Sequence, residues 1–236
     1  MYFKHFIRHL SNDFLSLFYP NLCLACNQPL VEGEHCICLH CLENLAKTDF
    51  HLHPDNRVEM SLAGRVKFER ATAFCFFKTD SSIQHMIHNL KYNGNQEIGE
   101  YLGELFGEDL IKNPTFASID VIVPIPIHPK KKAKRGYNQS EAIGRGLAKS
   151  MKKPLDIQSF IRTVNTSTQT KKSRYSRWEN VAEIFFVKHP ENLEKKHILL
   201  IDDVITTGAT IESAAHCLLE VNNTKISIAC LACASN

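Results

Sequence analysis

Two adjacent carboxylates, Asp202 and Asp203, follow four apolar residues at 198–201 and lead into a short stretch rich in Thr and Gly. The apolar run predicts a buried strand, and the Thr/Gly stretch predicts the start of the next helix. Ligands of open α/β sheets bind beyond the carboxyl ends of the strands, where the N–H groups of a helix N-terminus can hold a phosphate. The residues expected to hold that phosphate are Thr206, Thr207, Gly208, Ala209 and Thr210.

The acid pair predicts the other half of the ligand. Asp202 and Asp203 would repel a phosphate, so their natural partners are hydroxyl groups or a metal ion one sugar length away. The threonine hydroxyls and the backbone freedom of Gly208 suit the phosphate instead. A phosphate at one end and a diol at the other describe a ribose 5-phosphate, and we therefore predict a sugar-phosphate site here.

A basic segment follows a second apolar run, residues 121–127, and five of the six residues at 130–135 are Lys or Arg. The residues expected to contact a polyanion are His128, Lys130, Lys131 and Arg135. Pyrophosphate and a nucleic-acid backbone both carry dense phosphate charge, so the pattern fits either ligand. A solvated basic face is the third interpretation.

Four of the nine cysteines form two Cys-x2-Cys pairs, the spacing typical of a structural zinc site. The predicted ligands of Zn2+ are Cys23, Cys26, Cys38 and Cys41. Cys36 and His40 lie close enough in sequence to compete for a ligand position, and four buried or disulfide-bonded cysteines are the structural alternative. The remaining thiols are expected to fill the core: Cys75, Cys217, Cys230 and Cys233.

The composition is that of a folded globular chain, with 44% hydrophobic and 22% charged residues among 236. No apolar run approaches the roughly 20 residues that a spanning helix needs. The net charge of +3 conceals an uneven distribution, because residues 1–118 carry 10 Lys and Arg against 14 Asp and Glu, whereas residues 119–236 carry 18 against 11. We expect the basic half to meet an anion.

The first twenty residues have apolar positions at helical spacing, interrupted by charged ones, and no small-residue cleavage site follows them. This pattern predicts an amphipathic helix that packs on its own domain, with a membrane surface or a partner as the alternative. Reduced thiols in the two cysteine pairs favour a cytoplasmic location, and peripheral attachment at the inner face of the membrane stays open.

Strands alternate with helices along the rest of the chain, which predicts an α/β fold with a mostly parallel sheet flanked by helices. The predicted strands are 71–77, 121–125, 184–187, 198–201 and one at Ile226, and the predicted helices are 82–92, 98–111, 140–152 and 211–219. We expect an N-terminal helix and four-cysteine module at 1–48, a linker or loop at 51–65, and the α/β domain at 65–236.

Residues 198–210 resemble, over their full length, the phosphoribosyl pyrophosphate (PRPP) binding motif of type I phosphoribosyltransferases. The cysteine module, the Pro-Ile-Pro strand end at 124–126, the Arg-Gly-Tyr-Asn-Gln turn at 135–139 and this motif occur in the order found in the ComF family of competence-associated proteins. Tyr137 stands where Phe is the commoner choice. Further positions that fit the resemblance are Arg162, Gln169, Arg177, Asn180 and Phe185.

The resemblance implies a type I phosphoribosyltransferase fold with a small N-terminal zinc module. It also implies that PRPP binds with Mg2+, that Asp202 and Asp203 hold the ribose hydroxyls as the catalytic pair, and that pyrophosphate leaves when an unknown acceptor attacks. The cellular role would be DNA uptake in natural transformation, with a competence helicase and other DNA-processing proteins as partners.

The alternative is a non-catalytic accessory protein that binds single-stranded DNA. Residues 171–178 interleave basic and aromatic side chains, as single-strand binding requires, although Tyr175 and Trp178 equally fit a role in the core. A regulator that binds double-stranded DNA is disfavoured, because no helix-turn-helix pattern is visible.

Overall fold

The computed structural model describes residues 20–79, 81–162 and 185–234. The predicted N-terminal helix and the basic and aromatic segment at 171–178 lie outside these ranges, as do Gln169, Arg177 and Asn180. Within the described residues, none of the helices has both the length and the apolar character to cross a bilayer.

A four-stranded parallel sheet forms the centre of the fold, and this confirms the predicted fold class. Its strands are β1 (Ala71–Phe77), β2 (Val121–Pro124), β5 (His197–Ile205) and β6 (Lys225–Ala234). They pair in the order β1-β6-β5-β2, and each pairing is parallel. Two short strands, β3 (Phe160–Arg162) and β4 (Phe185–Val187), pair antiparallel in a separate two-stranded sheet, so the predicted strand at 184–187 does not join the central one.

Helices cover both faces of the central sheet. They are α1 (Leu39–Glu43), α2 (Arg57–Leu62), α3 (Ser82–Tyr92), α4 (Gln96–Leu110), α5 (Pro114–Ala117), α6 (Pro129–Arg135), α7 (Gln139–Met151) and α8 (Ala209–Leu219). Side chains of β5 alternate between the two faces, because Leu199 and Ile201 pack with α3, α4 and α7, while Ile198 and Leu200 pack with α2 and α8. Both faces of a parallel sheet are buried in this way, which explains the continuous apolar runs in the sequence.

Helices α4 and α7 approach each other until their backbones touch. A Cβ atom built on Gly146 of α7 would lie 1.9 Å from the carbonyl oxygen of Glu100, and one on Gly103 of α4 would lie 2.2 Å from that of Ile143. Only glycine fits at such distances. The close pair fixes the position of α7, whose first turn lies beside the carboxyl end of β5.

Four helices were not predicted, namely the short α1 and α5 and also α2 and α6. The predicted linker at 51–65 contains α2, which is capped by the Asn56 side chain as it accepts hydrogen bonds from the N–H groups of Val58 and Glu59. The basic run forms α6, which has Pro129 at its first position and ends at Gly136 in the left-handed conformation, φ 83°.

The cysteine module packs on the same face of the sheet as α3. The carbonyl oxygen of Leu24 accepts a hydrogen bond of 2.7 Å from the Asn89 side chain, and that of Ala25 lies 2.9 Å from Nδ1 of His85. Buried residues of the module belong to the same hydrophobic cluster as α3, α4 and α7. The division of the chain at residues 48 and 65 stays a prediction.

Candidate functional site

Asp202 lies near the end of β5 and faces the first turn of α7. Its Oδ1 atom accepts hydrogen bonds from the Ser140 hydroxyl at 3.1 Å and from the backbone N–H of Asp203 at 2.9 Å. Burial, and then the negative charge of Asp203, raise the pKa of Asp202 to about 7. The protonated form of Asp202 is therefore favoured more than in an ordinary aspartate, and a cation or a set of hydroxyl donors would favour the ionised form.

Asp203 already has a cationic partner. Its Oδ2 atom lies 2.7 Å from Nζ of Lys91, the penultimate residue of α3, and its Oδ1 atom accepts the N–H of Val204 at 2.7 Å. Both side chains are largely shielded, with Lys91 23% and Asp203 16% exposed. The two carboxylates together offer oxygen ligands of the kind that Mg2+ prefers, so the donor set fits that ion.

The predicted phosphate loop joins β5 to α8. Thr206, Thr207, Ala209 and Thr210 are exposed, whereas Gly208 is buried. Gly208 has φ 76°, and a Cβ atom there would lie 2.9 Å from Cδ2 of Leu62 in α2. The loop thus needs glycine for its backbone conformation and for its close approach to α2.

Arg65, which follows α2, braces the same loop from outside. Its Nη1 atom donates to the carbonyl oxygen of Thr207 at 2.8 Å, and its Nε atom donates to Glu212 of α8 at 3.1 Å. These contacts hold the ends of the loop while leaving the hydroxyls of Thr206 and Thr207 on the surface. The loop is therefore preorganised and open to solvent.

The basic helix α6 is attached on both sides to the sheet beside the acid pair. The N–H of Ile125, just after β2, donates to the carbonyl oxygen of Ile201, and the Asn138 side chain donates back to the carbonyl oxygen of Ile125 at 2.9 Å. His128 caps the helix, since its Nδ1 atom accepts the N–H of Lys130. The lysines at 130, 131, 132 and 134 are exposed, and no ion pair is found for them within the described ranges.

Arg135 points from α6 toward the last turn of α3. It donates to Oε1 of Gln139 at 2.7 Å, and its guanidinium lies 5.5 Å from the centre of the Tyr92 ring. The Tyr137 hydroxyl donates to the carbonyl oxygen of Leu90 in the same turn. The end of α3 therefore contacts the acid pair through Lys91 and the basic segment through Tyr92 and Leu90.

Four thiols of the cysteine module converge on one point. The sulfur atoms of Cys23, Cys26, Cys38 and Cys41 all lie within 4.8 Å of one another. The Cys26 and Cys38 sulfurs are 3.7 Å apart, close to the edge of about 3.8 Å that a tetrahedron with Zn–S bonds of about 2.3 Å would have. The cluster can hold a metal ion such as zinc.

The pKa values of the cluster thiols shift in both directions, since burial raises that of Cys41, so the convergence of the four sulfur atoms is what identifies the ligands. Burial opposes ionisation of Cys23, but hydrogen bonds from the backbone N–H groups of Cys38 and Cys26 lower its pKa to about 7, which favours the thiolate that a metal needs. Cys36 is buried in the same module outside the cluster, and burial raises its pKa to about 12. The core assignment of the other thiols is confirmed, because Cys75, Cys230 and Cys233 are buried and Cys217 is half-buried.

Three contributors to the site were not predicted: Lys91, Arg65 and Ser140. Lys91 and Arg65 are single basic residues in ordinary contexts, and nothing local shows that they contact residues more than a hundred positions away. Ser140 follows the Arg-Gly-Tyr-Asn-Gln turn directly and had a usable signal, since a hydroxyl in the first turn of a helix beside a strand end is a ready donor to an acid there.

Comparison with known proteins agrees with this geometry. Residues 133–235 match the family model of the phosphoribosyl transferase domain. The DNA utilization protein YhgH of Escherichia coli is 27% identical over 224 residues, which cover 90% of this chain and 96% of that protein. The competence protein ComFC of Bacillus subtilis is 38% identical over 100 residues, 42% of this chain and 38% of that protein, and the competence protein F of Haemophilus influenzae is 28% identical over 111 residues, 46% and 48%.

Among solved structures, glutamine PRPP amidotransferase from B. subtilis aligns with a TM-score of 0.46 and 15% identity over 62% of this chain, which spans 30% of that protein's length. An adenine phosphoribosyltransferase aligns with a TM-score of 0.39 and 13% identity over 64% of this chain and 74% of its own. The fold assignment rests on the matched domain and the parallel sheet. The resemblance to the ComF family is confirmed: the chain is similar to these competence and DNA utilization proteins, and its residues 133–235 match the phosphoribosyl transferase domain.

Proposed function

We propose that the chain binds PRPP with Mg2+ at the carboxyl edge of its central sheet, and that it acts in DNA uptake or DNA utilization. One observation carries the first part: the acid pair Asp202 and Asp203 lies in β5, and the braced loop around Gly208 follows where that strand leads into α8. The names of the similar proteins support the second part, and a competence helicase and other DNA-processing proteins are the partners that this role implies.

Each part of the site has a distinct task in this proposal. The loop at 206–210 anchors the 5-phosphate with its hydroxyls and N–H groups, and the acid pair holds the ribose hydroxyls. Mg2+, when bound with PRPP, neutralises diphosphate charge and orients the leaving group. If the chain is a transferase, a nitrogen nucleophile of the acceptor displaces pyrophosphate from C1 of the ribose.

A calorimetric titration with PRPP and Mg2+ tests the proposal. The double variant Asp202→Asn, Asp203→Asn is expected to lose at least about tenfold in affinity, since hydrogen bonds to charged groups are worth about 1.5–3 kcal/mol. Glu104→Gln is the matched control, because it also neutralises a carboxylate. Glu104 lies in α4 and pairs with Lys149 of α7. A folded, metal-loaded wild-type chain that binds no PRPP would refute the proposal.

Single-stranded DNA binding is the second candidate, and the exposed lysines of α6, which have no ion-pair partner among the described residues, favour it. The variant Lys131→Ala, Lys132→Ala should weaken binding to an oligonucleotide. It should also reduce the slope of log K against log salt by about 1.4, because each lost phosphate contact contributes about 0.7 for a single strand.

The control for that experiment is Lys67→Ala, Lys188→Ala, which removes the same charge from two exposed positions outside α6. Equal salt slopes for both double variants would show that α6 carries no DNA site. Fluorescence anisotropy at several salt concentrations supplies the measurement.

A further inference from the structure

The ion pair between Lys91 and Asp203 lies inside the proposed ligand site. In the described residues, Lys91 is the only cation in ion-pair contact with either carboxylate of the acid pair. Asp203 has both oxygens engaged, one by the Lys91 ammonium and one by the N–H of Val204. A ribose diol or a hydrated cation therefore meets a carboxylate that is already neutralised.

Because both side chains are partly buried, a second cation cannot easily bind Asp203 while Lys91 stays paired with it. Lys91 is 23% and Asp203 16% exposed, so water screens the pair only weakly. A second cation beside Asp203 would be repelled by the ammonium at short range. Ligand binding at the acid pair is thus a competition between the resident ammonium and the incoming group.

The corner of the site next to Lys91 contains other groups that suit an anion. The residue after Lys91, Tyr92, lies under the guanidinium of Arg135, on the side of the site where the diphosphate is expected. Helix α3 ends here, and Gly94, two residues beyond Tyr92, has φ 74° with open space around it. Near Tyr92, the Gln139 side chain is 3% exposed and its amide nitrogen has no hydrogen-bond partner among the described residues, so this corner has an unused donor.

We infer that Lys91 is a resident counter-ion of the acid pair, which the sugar hydroxyls and metal of a phosphoribosyl diphosphate displace and which then pairs with the diphosphate of the same ligand. This inference rests on the proposed PRPP site and adds a source of selectivity to it. A ribose 5-phosphate displaces the ammonium without offering it a new partner. A ligand with both a diol and a diphosphate exchanges one ion pair for another.

The comparison of ribose 5-phosphate with PRPP, both with Mg2+, tests the exchange. Lys91→Met should bind ribose 5-phosphate more tightly than the wild type, because Asp203 is then free to accept the hydroxyls. The affinity ratio of PRPP to ribose 5-phosphate should fall by about tenfold, since a charge-assisted contact to the diphosphate is lost. Lys91→Arg should keep a ratio near that of the wild type, and Lys67→Met is the control for loss of a lysine elsewhere.

A spectroscopic measurement reports on the ion pair without any ligand. In protein labelled with 15N at the lysine side chains, the signal missing from Lys91→Arg identifies the Lys91 ammonium. That signal should shift in Asp203→Asn, and it should shift again when PRPP binds the wild type. A purely structural lysine would not respond to the ligand.

The outcomes distinguish failure of the Lys91 inference from failure of the proposed PRPP binding. If the Lys91 signal ignores Asp203→Asn, or if Lys91→Met leaves the affinity ratio unchanged, the counter-ion role is wrong even though PRPP binds. If the wild type binds no PRPP while the Lys91 signal still depends on Asp203, the proposed function fails, and the displacement fails with it, although the ion pair stands.

Discussion

Replacing Cys26 with serine is expected to release the bound metal and to unfold the chain. A serine hydroxyl is a poor zinc ligand, and three thiols then leave one position of the tetrahedron open. Structural zinc contributes apparent free energies of about 10–16 kcal/mol in zinc-finger peptides at neutral pH. The total stability of a domain is about 5–15 kcal/mol, so loss of the metal removes a comparable amount.

The module is expected to transmit this loss to the rest of the fold. Its buried residues share one hydrophobic cluster with α3, α4 and α7, and its carbonyl groups accept hydrogen bonds from α3. If the module were an independent unit, its release would leave the α/β domain intact. Because it is part of the core, we expect Cys26→Ser to lose soluble yield and thermal stability as well as metal.

Cys36→Ala provides the matched control for the metal prediction. Cys36 is buried in the same module but lies outside the four-thiol cluster. Its replacement should leave about one zinc ion per chain by elemental analysis, with only a modest fall in melting temperature. A Cys26→Ser protein that stays fully stable without metal, or a Cys36→Ala protein without zinc, would contradict the assignment of ligands.

The substitution Gly146→Ala is expected to cost about 3 kcal/mol or more in the free energy of unfolding, at the upper end of the range for overpacked cores. The added methyl group would lie 1.9 Å from the carbonyl oxygen of Glu100 and 2.7 Å from the backbone nitrogen of Glu104. Backbone atoms of a helix cannot rotate away as a side chain can, so α4 and α7 must separate. Helix α7 would then carry Ser140 away from Asp202.

Gly144→Ala is the control, because it lies in the same helix and has the same favourable change in helix propensity, about 1 kcal/mol. The new methyl group there meets Cδ1 of Leu155 at 2.8 Å, the end of a flexible side chain that can move. We expect its stability in urea unfolding to stay within about 1 kcal/mol of the wild type. Similar stabilities for the two variants would mean that the helix backbones are not in contact.

The strand-to-helix connection at 198–210 and the two cysteine pairs could be predicted because the residues that form each of them are close together in the sequence. An apolar strand followed by two acids and a Thr/Gly turn predicts the strand-to-helix connection that is observed, while its ligand stays a prediction, and a Cys-x2-Cys turn brings its own thiols together. Helix α2 had a comparable local signal in Asn56 followed by Glu59, and α6 had one in Pro129 and Gly136. Neither helix was predicted, because the polar composition of each segment is equally typical of a loop.

Other parts of the site depend on tertiary contacts that no local pattern contains. In the local sequence, nothing distinguishes Lys91 from any other polar residue at the end of an amphipathic helix. Only the packing of α3 on the sheet brings its side chain to Asp203. The same holds for Arg65, whose partners are Thr207 and Glu212. The glycines of α4 and α7 even lower the helix propensity of their segments, because close packing of the backbones outweighs propensity there.

At each edge of the central sheet, one residue of a neighbouring segment forms an isolated bridge with the edge strand. Lys47, in the chain that leaves the cysteine module, pairs antiparallel with Cys75 of β1, and Leu155 pairs parallel with Ile122 of β2. Uncovered edge strands invite pairing with other chains and thus aggregation. The segment at Lys47 therefore protects one edge of the sheet for as long as the module holds it in place. A strand from a partner would have to displace these two segments before it could pair along the whole of β1 or β2.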